Sequence, residues 1–168
     1  TTTVQTFHHA LLDVCRGLSQ MHRLRIAHRD LKLENVVIDD IDGTARLVDF
    51  GMACAYGEGQ AMTMSQSRCG TIMYMAPEVN ACTRPFNAIV ADVWSLGVLA
   101  FAMFFHCMPF YETNSERDEG YAHFARQQKW MRVPPLRAIQ AVYAKTHEFP
   151  SSGLEEWVIN ATLLVAPG

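Results

Sequence analysis

The feature that most constrains this chain is the segment His28–Asn35, which reads HRDLKLEN. Five of its side chains are ionisable, a sixth is an amide, and the β-branched residues Val36–Ile38 follow at once. β-Branched residues favour extended backbone, so the sequence predicts a short, buried strand directly after this polar segment. A carboxylate, an ammonium group and an amide this close together can form either a structural ion-pair network or a catalytic loop.

A β-hairpin is predicted to include this strand. Residues 39–43, with the sequence DDIDG, have the composition of a turn, and Ala45–Val48 then predicts a returning strand. Such a hairpin would bring Asp49 back beside Asn35. Carboxylate and amide oxygens are ligands that Mg²⁺ prefers, so these two residues predict a magnesium site at the mouth of the hairpin.

The same turn has a rival interpretation as an EF-hand calcium loop with Gly43 at the invariant glycine position. The first ligand position would then be Ile38, which has no side-chain oxygen, and the last would be Asp49 instead of Glu. Because both ends of that loop are wrong, the hairpin interpretation is preferred.

Three short motifs occur in order along the chain, and each would be weak alone. They are His28-Arg29-Asp30 with Asn35, Asp49-Phe50-Gly51 and Ala76-Pro77-Glu78. In this order the chain resembles the C-terminal lobe of a eukaryotic-type protein kinase, in its serine/threonine branch. The resemblance runs from about residue 4 to residue 168. It implies a mainly α fold, a helical bundle with a small β-hairpin that carries the catalytic and metal-binding loops.

The resemblance also implies a domain organisation. Residues 1–168 would be a partial protein kinase domain, without an N-terminal lobe and cut short at its C-terminal end. A complete kinase domain has a glycine-rich loop, a strand lysine and a helical glutamate, and the sequence has none of the three. Glu78 is expected to pair with an arginine beyond Gly168. The piece alone is therefore expected to be unstable and poorly active.

The resemblance assigns roles to the site residues. Asp30 would accept or orient the proton of the substrate hydroxyl, and Lys32 would meet the γ-phosphate of ATP. Asn35 would be one of the catalytic residues and would also hold Mg²⁺ together with Asp49. Val37 would form the apolar floor under the adenine. The implied cofactors are ATP and Mg²⁺, and the implied partner is a protein substrate with a serine or threonine acceptor.

Supporting positions follow from the same resemblance. Thr71 is a further mark of the serine/threonine branch and would be one of the catalytic residues. It is expected to form hydrogen bonds with Asp30 and Lys32. His28 is expected to have a structural role, packed against Phe50. Asp92 is expected to lie near the start of a helix and to accept backbone hydrogen bonds from the catalytic loop.

Residues 52–70 have little periodicity and predict a mobile loop in the place of the kinase activation segment. Ser67 is either a phosphorylation site whose phosphate would pair with Arg29, or a solvated loop serine. The family often has Pro where this chain has Ile72, and kinases that prefer basic substrates often have Glu where it has Ala102. The sequence preference around the acceptor is therefore open.

Apolar periodicity predicts the helices. An apolar stripe runs from Val4 to Met21, and an almost continuous apolar run from Val93 to Phe105, ended by Pro109-Phe110, predicts a core helix. Further helices are predicted over Tyr121–Arg132, Leu136–Lys145 and Leu154–Val165.

Composition limits the function class. The net charge of −3 and the pI near 6.1 give no electrostatic case for binding nucleic acid. The five cysteines form no CxxC pair, which predicts reduced thiols and a cytoplasmic location, with the nucleus as the alternative. The longest near-apolar run is shorter than the roughly 20 residues that a membrane helix needs, so no membrane span is predicted.

Two rival functions differ in class from an active kinase. A kinase-like binding or scaffold module would share the fold, but it would not need the four residues Asp30, Lys32, Asn35 and Asp49. A helical metal protein is the weaker rival, because adjacent histidines such as His8 and His9 point about 100° apart on a helix.

Overall fold

The structure is a computed structural model that describes residues 2–57 and 64–127. Its helices are α1 (Thr2–Arg23), α2 (Pro77–Ala81), α3 (Ala88–Phe105) and α4 (Glu119–Gln127). Its short strands are β1 (Ile26–Ala27), β2 (Val36–Ile38), β3 (Ala45–Leu47), β4 (Cys54–Ala55), β5 (Met64–Ser65) and β6 (Phe86–Asn87). Single 3₁₀ turns cover Leu33–Asn35 and Ile72–Tyr74. The described chain is mainly α with a small hairpin, as the sequence predicts.

Helix α1 supplies one wall of the core. The predicted stripe is confirmed at Leu11, Val14 and Leu18, which have no exposed surface. They pack in one cluster with Leu96 and Leu99 of α3. Burying a side chain of this size stabilises the fold by about 1.5–3 kcal/mol, so the α1–α3 contact contributes much of the stability of the core.

Helix α3 begins five residues earlier than the apolar run suggests. The Asn87 side chain caps it by accepting hydrogen bonds from the amides of Ile89 (3.0 Å) and Val90 (3.3 Å). The helix ends at Phe105, where His106 turns into the left-handed region at φ +55°. Two predictions are therefore wrong: Asp92 lies in the second turn of α3 rather than near its start, and Pro109-Phe110 follows the helix without ending it.

Helix α4 covers Glu119–Gln127, which confirms part of the helix predicted over Tyr121–Arg132. The remainder of that helix, and the two predicted over Leu136–Lys145 and Leu154–Val165, lie outside the described residues. No described helix is long and apolar enough to cross a bilayer.

The predicted hairpin is present, with β2 antiparallel to β3 and Val36 opposite Leu47. Its first strand is not buried, however, because Val37 and Ile38 are 43% and 48% exposed. Successive residues of a strand point to opposite faces, so both faces of the strand are partly open at this end. The prediction of a buried strand was wrong because β-branched residues indicate an extended backbone but do not show whether the strand is buried.

The segment 52–70 is more regular at its ends than predicted. Strand β4 pairs with β1, and strand β5 pairs with β6, which leads directly into α3. Each ladder joins only two residues to two, so neither leaves an alternating pattern in the sequence. Both ends of the segment are therefore hydrogen-bonded to the body of the fold.

Candidate active site

The carboxylate of Asp30 lies at the centre of the site. Its Oδ2 accepts a hydrogen bond from Lys32 Nζ at 2.7 Å, and its Oδ1 accepts one from the hydroxyl of Thr71 at 2.7 Å. Lys32 Nζ also donates to Thr71 Oγ1 at 3.0 Å, which closes a three-membered network. The predicted contacts of Thr71 with Asp30 and Lys32 are thus confirmed.

The ionisation of this pair follows from the contacts. Burial raises the pKa of Asp30, but the hydrogen bonds from Lys32 and Thr71 outweigh burial and hold the pKa below its ordinary value. The hydrogen bond to Asp30 raises the pKa of Lys32, and the charge of Asp49 adds to that rise. Near neutral pH the site therefore holds a carboxylate and an ammonium group.

Asn35 is fixed by the loop and by the hairpin. Its buried Nδ2 group donates to the carbonyl of Asp30 at 2.8 Å, and its backbone carbonyl accepts from the amide of Val48 at 2.9 Å. That second bond extends the hairpin by one pair and brings Asp49 to the edge occupied by Asn35. The exposed carboxylate of Asp49 accepts from the amide of Gly51 at 3.2 Å.

These two residues fit a magnesium ion. With its Nδ2 group committed to Asp30, Asn35 has its Oδ1 oxygen to offer a cation, and Asp49 has a carboxylate. The described residues contain no cluster of three His, Cys, Asp or Glu side chains that could hold a metal alone. A donor set of two oxygens suits Mg²⁺, which usually keeps several waters and binds substrate phosphates rather than a full protein cage.

The loop that contains Asp30 is held by a carboxylate of α3. Asp92 accepts from the backbone amides of His28 and Arg29, each at 2.7 Å, and its Oδ2 lies 2.9 Å from His22 Nε2. The bonds to His28 and Arg29 are confirmed predictions. The contact with His22 was missed by sequence reasoning, because 70 residues separate the two and neither lies in a motif that points to the other.

His28 ties the same loop to the hairpin. The fully buried ring accepts at Nδ1 from the amide of Asp30 (3.4 Å), and its Nε2 lies 3.3 Å from the carbonyl of Val48. Both contacts suit the tautomer protonated at Nε2. The ring also packs on Phe50 at 5.5 Å between centroids, which confirms the predicted contact.

Three backbone positions of the site are left-handed. Arg29 and Asp49 have φ of +68° and +61°, a region that costs a residue with a side chain about 1–2 kcal/mol. Gly70 has φ +103°, and a Cβ atom there would lie 2.5 Å from the carbonyl oxygen of Arg29. Glycine is thus required for the close approach that places Thr71 against Asp30, a requirement that the sequence did not reveal.

The remaining predicted residues lie around this centre. Val37 is half-exposed on β2, opposite Arg46, and its predicted contact with adenine stays a prediction. Ser67 and Arg29 line one cavity beside Asp30, a placement compatible with their predicted pairing after phosphorylation. Burial raises the pKa of the Glu78 carboxyl, and no cation of the described residues offsets the rise. The arginine partner of Glu78 stays a prediction.

Comparison with known proteins assigns the family. The protein kinase domain family matches residues 1–156. Similar proteins include the mitosis inducer protein kinase cdr1 of Schizosaccharomyces pombe, 33% identical over 108 residues, and the SNF-related serine/threonine-protein kinase of Homo sapiens, 38% identical over 102 residues. A third is the serine/threonine-protein kinase CHK1 of Mycosarcoma maydis, 32% identical over 134 residues.

The aligned regions cover 64%, 61% and 76% of this chain but only 18%, 13% and 19% of those three proteins. The match along most of the chain, together with the geometry around Asp30, places it in a family: the chain belongs to the protein kinase domain family.

Proposed function

We propose that the gene product containing this chain transfers the γ-phosphoryl group of ATP to a serine or threonine hydroxyl of a protein substrate. The observation that carries this proposal is the Asp30 carboxylate, bonded at 2.7 Å by both Lys32 and Thr71. The relatives named serine/threonine-protein kinases support the acceptor class.

Asp30 would act on the acceptor hydroxyl. Its pKa lies below the ordinary value, so it is anionic near neutral pH, and each carboxylate oxygen keeps acceptor capacity beyond the bonds from Lys32 and Thr71. A substrate hydroxyl can therefore donate to it and be oriented for attack. Such general-base assistance contributes about 10²–10⁴-fold to the rate.

Lys32 and the hairpin would receive the nucleotide. Lys32 stays protonated and carries a compact charge suited to a phosphoryl oxygen, while Val37 offers an apolar surface for the adenine. Asn35 and Asp49 would hold Mg²⁺ through their oxygens. When bound, the ion neutralises negative charge on the phosphate oxygens. Most of the catalysis would then be positioning and charge stabilisation.

The test is Asp30→Asn in the natural gene product that contains this chain, with Asp40→Asn as the matched control. Asp40 lies exposed on the hairpin turn, and the two variants lose the same charge. Transfer of labelled phosphate from MgATP to a mixture of Ser and Thr peptides should fall about 10²–10⁴-fold in Asp30→Asn and stay unchanged in Asp40→Asn.

Two outcomes would contradict the proposal. One is undiminished transfer by a folded Asp30→Asn variant, which would remove the assigned role. The other is a wild-type protein that binds ATP but transfers no phosphate, which would favour the kinase-like scaffold.

A further inference from the structure

Arg68 is an exposed side chain on the segment that leads to Thr71, and the structure holds it in one orientation. Its Nε donates to the carbonyl of Asn80 at 3.1 Å, and its Nη2 donates to the side-chain oxygen of Asn80 at 2.7 Å. Both acceptors are neutral. In the described part of the chain, no carboxylate forms an ion pair with Arg68. Its positive charge is therefore fixed in place without being neutralised.

The two bonds to Asn80 occupy one edge of the guanidinium group. Arginine has five N–H donors in a rigid planar fork, so the Nη1–Nη2 edge of Arg68 is still available. That edge matches the two oxygens of a carboxylate or a phosphate. A side chain already held in place loses less conformational entropy on binding than a free arginine would.

Neighbouring groups reinforce this arrangement. The Asn80 amide donates to Glu112 Oε1 at 3.3 Å, and that oxygen lies 3.7 Å from Arg117 Nη1. In this Arg68–Asn80–Glu112–Arg117 cluster, Glu112 pairs with Arg117 and is linked to Arg68 only through the neutral Asn80 amide, so Arg68 itself has no ion-pair partner among the described residues. The thiol of Cys82 donates to the carbonyl of Gln66 at 3.2 Å and so holds the segment that precedes Arg68.

The cluster lies within reach of a substrate at Asp30. Arg68 precedes Thr71 by three residues, so at most about 11 Å of backbone separates it from the residue that bonds Asp30. An extended substrate advances about 3.3 Å per residue. A side chain three or four residues from the acceptor hydroxyl, or nearer, can therefore reach the guanidinium group.

We propose that Arg68, held by Asn80, makes this kinase select substrates that carry an anionic side chain within about four residues of the acceptor. This inference rests on the proposed function, because it names the substrate class of the same site. The anionic group is a carboxylate or a phosphate, since both present paired oxygens to the fork.

The experiment uses serine peptides in which each position within four residues of the acceptor is Ala, Glu, phosphoserine or Lys in turn. For the wild-type gene product, Glu or phosphoserine should raise kcat/KM about 5- to 10-fold over Ala at one or more positions. Arg68→Ala and Asn80→Ala should lower that ratio towards one, and Arg68→Glu should favour Lys over Glu. Arg16→Ala, which removes an exposed arginine of α1, should keep the wild-type ratio.

Binding of non-phosphorylatable peptides, measured by fluorescence anisotropy, separates this inference from the proposed function. Acidic peptides should bind wild type more tightly than neutral ones, and Arg68→Ala should lose the difference. The inference is overturned if wild type shows no preference at any position, or if Arg68→Ala retains it. Absence of phosphate transfer alongside preserved acidic binding would instead refute the proposed reaction and leave Arg68 as an anion-recognising residue.

Discussion

The hydroxyl of Thr71 connects two groups that would otherwise be held only by each other. It donates to Asp30 and accepts from Lys32, and its hydrogen bond to Asp30 lowers the pKa of the Asp30 carboxyl. Thr71→Ala removes this contribution, so the pKa of Asp30 rises. A larger fraction of Asp30 is then protonated in mildly acidic solution, where it cannot accept a proton. The acidic limb of the kcat/KM profile should move to higher pH, and kcat/KM at its plateau should fall about 10-fold.

Thr71→Ser is the matched control, because it keeps the hydroxyl and should keep the wild-type limb. A limb that stays in place in Thr71→Ala, or that moves to lower pH, would show that the hydroxyl does not stabilise the anionic form of Asp30.

The sequence predicts which residues meet in the site where they lie close together in the chain or belong to a known motif. Asp30, Lys32 and Asn35 lie within six positions, so their meeting follows from one loop. Thr71 was reached only through the family resemblance. His22 and the steric requirement at Gly70 were missed, because each depends on a distant backbone position that no local pattern encodes.

At the scale of the element, helix α3 both packs in the core and holds the loop that contains Asp30. Asp92 projects from a helix whose neighbouring residues are apolar, and it accepts hydrogen bonds from two amides of the loop that contains Asp30. Asp92→Ala leaves those buried donors without partners, which should lower the free energy of unfolding by about 2–4 kcal/mol. Urea denaturation measures this loss. Asp40→Ala, the same change on the exposed turn, should stay within about 0.5 kcal/mol of wild type. Equal effects in the two variants would contradict the supporting role.

Element boundaries were harder to predict than element types. The start of α3 was placed too late because Asn87 caps the helix ahead of its most apolar stretch. The ladders of β4 and β5 were missed because their partners lie 20 or more residues away in the sequence and each strand is two residues long. Tertiary pairing, rather than local propensity, makes these residues extended.

At the scale of the whole molecule, an aromatic cluster joins α3 to α4. Phe110 lies between the rings of Trp94, Tyr121 and Phe124, with centroid distances of 5.5 to 6.0 Å. Phe110→Ala should lower the free energy of unfolding by about 3–5 kcal/mol, because it leaves a cavity among packed rings. The adjacent Tyr111 is 76% exposed, so Tyr111→Ala should change stability by less than about 0.5 kcal/mol. Chemical denaturation of both variants makes the comparison, and a small loss in Phe110→Ala would show that the cluster does not hold α4.

The left-handed backbone at Arg29 and Asp49 lowers the stability of the fold, while the side chains at these positions have roles in the proposed reaction. Glycine would adopt both conformations without steric cost, yet it would remove the guanidinium group beside the activation segment and the carboxylate predicted to hold magnesium. Selection for a more stable fold would therefore favour glycine at these two positions, whereas selection for the proposed phosphotransfer would favour the residues present. A lineage that abandoned catalysis would be free to drift towards glycine there.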